Sequence, residues 1–428
     1  KSLWSSRVGA VSETNANAER CLELAAALGS RFSSNDWRAW CGERGVPLTC
    51  ELEQRLILSG LILPVHCGWV FVHESLKDYL DELARRGGRN FDNHRACATV
   101  LKNDKISASL SERIGRHLLG GGRGKESLPF LLTAAKLRGL GGEFDLALGL
   151  IALREKIMRD LSFDSEDSRW GIGWSARADL LRGQGFLDEA GRAADKALVK
   201  AQELNWTSVI PLAMRSLALT ALETDDLAST APLLRRSREL FERAGQFEES
   251  FDCTYWQGRV ALRGGNQSVA QSLFAQAVEG YSKIGNKEGE GEANYWLGVS
   301  LRQQGKLSEA WTAFTECEEL FKSVSSTSGA ASAILGRAIV HLFREEMDES
   351  EAASRRAHIL YSSQGDDVGV ADSLNALAEV ARAKGDLSEA ELRYRQSVNL
   401  LSSHRVSRAV LPQLNLALVV LQRGDYVE

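Results

Sequence analysis

Small, apolar and turn-forming residues recur with a period of 40 from about residue 162 onward, and this recurrence organises the chain. One column holds Gly185, Asp225, Gly265, Gly305, Glu345 and Gly385 at steps of 40, with Gly424 following after 39. A second column, half a period away, holds Asn205, Gly245, Gly285, Ser325 and Gly365. Small residues fill two more columns, Ala178, Ala218, Gly258, Gly298, Ala338 and Ala378, then Ala190, Thr230, Ala270, Ala310, Ser350 and Ala390. Rings recur at Phe241, Tyr281, Phe321 and Tyr361. A period of 40 accommodates two helices of roughly 16–18 residues and two short turns. One such hairpin cannot bury its apolar face alone, so the pattern predicts an all-α chain of stacked hairpins, an α-solenoid with a continuous core. Trp256 and Trp296 also fall one period apart and read as packing residues.

The N-terminal part follows a different rhythm. Residues 1–19 are polar and read as a linker. A helix over 21–28 stops at Gly29, Ser33 with Asp36 marks a capped second helix, and Pro47 with Thr49 introduces a third. Two short β-rich runs, Leu61-Ile62-Leu63-Pro64 and Trp69-Val70-Phe71-Val72, flank a turn at Gly68. Leu76, Tyr79, Leu80 and Leu83 then give a helical spacing after Glu74. Three helices, a β-hairpin and a helix predict a small winged-helix domain over 20–90. A helical connector follows over 91–161, with helices at 112–119, 127–137 and 144–161. Within it, residues 128–135 read as a degenerate first repeat, and the array proper runs over 162–428.

Composition narrows the function classes. The net charge of −5 gives no basic footprint, and the third helix carries Glu51 and Glu53 against Arg55, which argues against nucleic-acid binding. No run of 18 apolar residues exists to cross a membrane. Seven cysteines at irregular spacings, without a Cys-x-x-Cys pair, suit reduced thiols of a cytoplasmic chain rather than a disulfide framework. The histidines (His66, His73, His94, His117, His341, His358, His404) show no metal-ligand spacing, so no metal site is expected. Gly120-Gly121-Gly122-Arg123-Gly124-Lys125-Glu126-Ser127 fails as a phosphate-binding loop, because Leu119 stands at the first glycine's place and Glu126 where a hydroxyl belongs. No catalytic constellation is visible, and a non-enzymatic chain is expected. The absent initiator Met and the end at Gly424-Asp425-Tyr426-Val427-Glu428, where a second helix is due, predict a piece of a longer protein.

Three segments resemble the winged helix of STAND-type signalling ATPases: Leu22-Glu23-Leu24-Ala25-Ala26-Ala27-Leu28-Gly29, Leu58-Ser59-Gly60-Leu61-Ile62 and Phe71-Val72-His73-Glu74-Ser75-Leu76. The resemblance implies a nucleotide-binding domain upstream, ATP or ADP bound there and not in this stretch, and His73 as a nucleotide sensor. The interval of 12 between the small-residue columns resembles the tetratricopeptide repeat (TPR), with longer helices than usual. Such arrays resemble those of STAND regulators, including bacterial maltose-type transcription activators and immune-type sensors.

The TPR resemblance implies a right-handed superhelix whose first helices line a groove. Its groove positions fall here on Arg215, Asp252, Tyr255, Arg259, Tyr295, Arg302, Asn375, Glu379 and Arg382. Tyrosines and arginines in a groove suit a protein or peptide partner, or a small effector. The leading reading is a regulatory fragment of a STAND-type protein. A stand-alone adaptor, and the sensor region of a transcription activator with its DNA-binding module beyond Glu428, stay open.

Overall fold

The computed structural model describes residues 2–102, 106–402 and 406–423. His404 and Gly424, with the four residues after it, lie outside the described residues. The chain divides into two compact units, 1–209 and 210–428. The repeat array expected from residue 162 therefore contributes to both.

The first unit opens with α1 (Ser2–Thr14), α2 (Ala18–Leu28), β1 (Arg31–Ser33), α3 (Ser34–Glu43), α4 (Cys50–Leu58), β2 (Ile62–Val65), β3 (Gly68–Phe71) and α5 (Glu74–Arg86). The polar stretch read as a linker is mostly the helix α1. Its only apolar stripe, Trp4, Val8 and Val11, lies at helical spacing, and Val8 and Val11 are buried in the core of this region. The expected hairpin is one part of a three-stranded antiparallel sheet of order β1-β3-β2, with Phe32 opposite Trp69 and Ile62 opposite Phe71. The three-residue β1 is too short to carry a readable alternation. These elements are compatible with a winged-helix-like module. Ser33 caps α3 by accepting from the N–H groups of Asn35 and Asp36, and Thr49 caps α4. Glu23 is buried and pairs with Arg20 at 2.8 Å and Arg89 at 3.0 Å.

Helices α6 (Asn90–Leu101), α7 (Ala108–Gly120), α8 (Gly124–Leu140), α9 (Phe144–Asp160), α10 (Arg169–Gln184) and α11 (Leu187–Glu203) complete this unit. The glycine-rich stretch at 120–124 is the tight turn between α7 and α8, with Gly122 at φ +72°. Lys125 and Glu126 lie in the first turn of α8.

The second unit consists of α12 (Ile210–Glu223), α13 (Leu227–Arg243), α14 (Phe247–Arg263), α15 (Gln267–Ile284), α16 (Lys287–Gln303), α17 (Leu307–Ser323), α18 (Thr327–Phe343), α19 (Met347–Gln364), α20 (Asp367–Ala383), α21 (Leu387–Ser402) and α22 (Val406–Arg423). Each helix packs on the next, and the first helices α14, α16, α18 and α20 also touch one another in series. This is a TPR-like α-solenoid.

Every described member of both turn columns has positive φ, from 52° at Asn205 to 90° at Gly185. Each helix thus ends in a left-handed residue that folds the chain back. At Gly305 its N–H donates to Arg302 C=O at 2.9 Å, and the Lys306 N–H donates to Leu301 C=O at 3.0 Å, satisfying the last carbonyls. Asp225, Ser325 and Glu345 hold the same backbone without glycine's freedom.

The recurring rings have a common seat. Tyr281, Phe321 and Tyr361 end second helices and pack on Gly289, Gly329 and Gly369 of the following first helices, again 40 apart. A Cβ at Gly289 would stand 2.7 Å from the Tyr281 ring, and one at Gly329 or Gly369 would be closer still. The small-residue column serves the same end inside each hairpin: a Cβ at Gly258 or Gly298 would stand 2.7 or 2.8 Å from Phe274 or Phe314.

Two substitutions separate these constraints. Gly369→Val forces the Tyr361 ring from its seat, and overpacking of this kind costs about 1–3 kcal/mol. Glu345→Gly removes a non-glycine residue from a left-handed position and raises stability by about 1 kcal/mol. Urea unfolding of both variants against the parent chain measures each sign.

Candidate functional site

The first helices of four successive hairpins line a cavity of about 540 Å³ in the second unit. Arg259 comes from α14, Glu292, Tyr295 and Trp296 from α16, Ser332 and Leu335 from α18, and Asp372 from α20; the rings of Phe321 and Tyr361 close its floor. Successive first helices present the same face because the period holds their register, so residues far apart in sequence meet.

Of the sequence-predicted residues, Arg259 and Tyr295 line this cavity and Tyr255 adjoins it. The Arg259 guanidinium lies 3.6 Å from the centroid of the Trp296 ring and donates to the Tyr255 hydroxyl at 3.1 Å. A cation stacked on an indole is held in place with its polar edge still available. Trp296, expected as packing, is thus half-buried in the wall and supports Arg259. Burial pushes the Tyr255 and Tyr295 hydroxyls up to about 12, so both are neutral donors near pH 7.

Asp252 and Arg215 pair at 3.3 Å, and the Tyr281 hydroxyl donates to the other Asp252 oxygen at 2.5 Å. Desolvation by the surrounding helices raises the Asp252 carboxyl above its ordinary 3.8, against the opposing pull of Arg215. Glu292 behaves alike: it keeps contact with solvent, but the walls crowd it and raise its carboxyl.

The remaining predicted residues lie elsewhere. Arg302 sits 5.9 Å from the Phe343 ring, its Nε buried without a partner and its guanidinium lowered by desolvation. Glu379 joins Arg382 at 2.6 Å and the Tyr394 hydroxyl, while Asn375 accepts from Asn415 at 3.3 Å. His73 is exposed and caps α5, its Nδ1 accepting from the Ser75 N–H at 3.1 Å. That bond leaves Nε2 as the protonated nitrogen of the neutral ring.

Sequence reading missed Glu292, Ser332 and Asp372. They follow Asp252 at steps of 40, so the period itself was the signal, hidden because the residue type changes at each step. It also assigned no metal ligands, whereas the fold of the first unit brings His94, Cys97 and His117 together, with ligand atoms within 4.8 Å of one another. The i, i+3 spacing of His94 and Cys97 was visible; the third member arrives only when α6 packs on α7.

A tetratricopeptide repeat family profile matches residues 329–403. No curated protein matches the chain in sequence. Among solved structures it is similar to a Signal Transduction ATPase with Numerous Domains (STAND) protein with a tetratricopeptide repeat sensor from Pyrococcus horikoshii, with 15% identity and a TM-score of 0.51. That match covers 93% of this chain and 64% of the other, so the chain spans less than two thirds of the STAND protein's length. It is also similar to the Rap conjugation gene regulator of the plasmid pLS20, solved in complex with the Phr* peptide (13% identity, TM-score 0.55, 75% of this chain and 91% of that one). The apo form of RapI shares 12% identity at a TM-score of 0.51, over 64% of this chain and 97% of that one. At these identities the likeness is one of fold.

The raised carboxyl of Asp252 makes its charge unfavourable to the folded state at neutral pH, and the penalty fades as pH falls through the raised value towards 3.8. Asp252→Asn is therefore more stable than the parent at pH 7, with the difference shrinking as the pH is lowered. Urea unfolding of the two chains across that range gives the slope.

Proposed function

We propose that residues 210–428 receive a peptide or protein segment that carries a basic group beside an apolar side chain, and that the chain is the regulatory part of a STAND-type signalling protein. The observation that carries the first reading is the cavity wall itself. Two solvent-exposed carboxylates, Glu292 and Asp372, face a space walled by Tyr295, Trp296, Phe321 and Leu335. Carboxylates in a partly desolvated groove attract a cationic group, while the rings supply contact area at small entropic cost. Arg259 and Ser332 offer hydrogen bonds that orient a peptide backbone. The solved complex of a similar fold with the Phr* peptide supports a peptide as ligand.

The STAND reading rests on the winged-helix resemblance and on the fold likeness to a STAND protein with a TPR sensor. In it, a nucleotide-binding domain precedes Lys1, ATP or ADP binds there, and His73 offers its Nε2–H to the nucleotide's phosphates. Effector binding in the groove then biases two arrangements of the whole protein by its differential affinity for them. The proposal assigns the groove recognition and no bond-making chemistry.

Peptides selected by display on the 428-residue chain test the groove. Glu292→Lys, at an exposed site, should weaken them at least about tenfold by calorimetry, which is about 1.4 kcal/mol. Equal affinity for parent and variant overturns the groove assignment. The sequence ahead of Lys1 tests the parentage independently: a P-loop is expected there, and a full-length protein without one removes the STAND reading while leaving the groove intact. In that full-length protein His73→Asn keeps an N-cap, so a lost nucleotide response at unchanged stability identifies sensing, and an unchanged response excludes it.

A further inference from the structure

A second convergence of chemistry lies in the first unit. His94 and Cys97 stand one turn apart on α6, and His117 faces them from α7. The two imidazoles approach with Nδ1 to Nδ1 at 3.0 Å, and the three ligand atoms all lie within 4.8 Å of one another. Cys97 is fully buried, His117 nearly so and His94 half-buried.

We propose that His94, Cys97 and His117 bind one zinc ion that fastens α6 to α7. Two imidazole nitrogens and a sulfur form the borderline-soft set that zinc takes, whereas magnesium and calcium ask for oxygen ligands. Tetrahedral zinc with Zn–N near 2.0 Å and Zn–S near 2.3 Å places ligand atoms about 3.3–3.6 Å apart, so the imidazole nitrogens at 3.0 Å part slightly while the widest separation, up to 4.8 Å, closes by about 1.2 Å. The fourth position falls to water on the half-exposed His94 side.

Neighbouring residues hold the ligands in this orientation. Gly120, the last residue of α7, has no side chain where a Cβ would stand 2.9 Å from His94 Cδ2, and the imidazole lies in that space. The Trp40 ring meets His117 edge-on at 5.9 Å, fixing the second imidazole from α3. Burial, the largest influence on it, pushes the Cys97 thiol well up against the opposing pull of Arg113. A dication at the histidine pair supplies the positive charge that lets the thiol ionise, its proton passing to solvent as the metal–sulfur bond forms.

The site stands outside the groove and outside the nucleotide proposal, and its failure leaves both untouched. Cobalt(II) titration of the purified, reduced 428-residue chain provides the test. One Co2+ per chain should give thiolate-to-cobalt charge-transfer absorption with tetrahedral visible bands, and one equivalent of Zn2+ should abolish both. The charge-transfer band should vanish in Cys97→Ser and persist when the exposed thiols Cys50 and Cys67 are both changed to serine. His94→Gln, at the half-exposed ligand, should weaken cobalt binding by more than about 100-fold with the helical circular dichroism unchanged. Absence of the band in the parent chain, or its survival in Cys97→Ser, overturns the proposal.

Discussion

A ring seated on a glycine sets the distance from one hairpin to the next in the second unit. Tyr281, Phe321 and Tyr361 each close a second helix and rest where Gly289, Gly329 and Gly369 leave room. Phe321 shows why the ring must sit there. It touches Gly329 on α18, and a Cβ at Gly291 on α16 would stand 3.1 Å from it, so a single phenyl wedges between two first helices. Interiors this dense allow neither a larger side chain below the ring nor a smaller ring above it without a shift of the helices. The continuous core of the solenoid follows from that repeated contact.

The groove is the other face of the same regularity. Once the step is set, positions 252, 292, 332 and 372 fall on successive first helices as Asp, Glu, Ser and Asp, and the last three line the cavity. The ring and small-residue columns keep to rings and small residues because packing tolerates little change. The groove column keeps its geometry and varies its chemistry. Its charges are partly desolvated by the walls around them, and the stacked Arg259 answers the nearby carboxylates without neutralising the site.

What could be read from the residues follows from this division. Left-handed turns favour glycine, and most members of the turn columns are glycine, with Asn205, Asp225, Ser325 and Glu345 as exceptions, so the columns were legible and every described member carries positive φ. The caps at Ser33 and Thr49 were legible for a similar local reason. The ring column was visible too, but its glycine partners were not noticed, because a glycine inside a helix announces only that something passes close by. Helix α1 was missed because three apolar residues in a polar stretch become a stripe only when something packs on them. The cavity was legible only in part: Arg259 and Tyr295 fall on it and Tyr255 adjoins it, whereas Arg215, Asp252, Arg302, Asn375, Glu379 and Arg382 are drawn into contacts outside its lining. The His94, Cys97 and His117 cluster depends on a contact between two helices, which no spacing along one chain encodes.

The seated tyrosines do more than hold a distance. Tyr281 rests its ring on α16 and donates its hydroxyl to Asp252 on α14, and Tyr361 rests on α20 while its hydroxyl meets Ser332 on α18 at 2.8 Å. Each side chain therefore works as a linkage with one end in the spacer between coils and the other on a neighbouring first helix, which for Tyr361 is the wall of the groove. Pulling Ser332 aside draws on the same ring that sets the pitch. The spacing of the coils and the place of Ser332 in the wall are thus held by one and the same side chain.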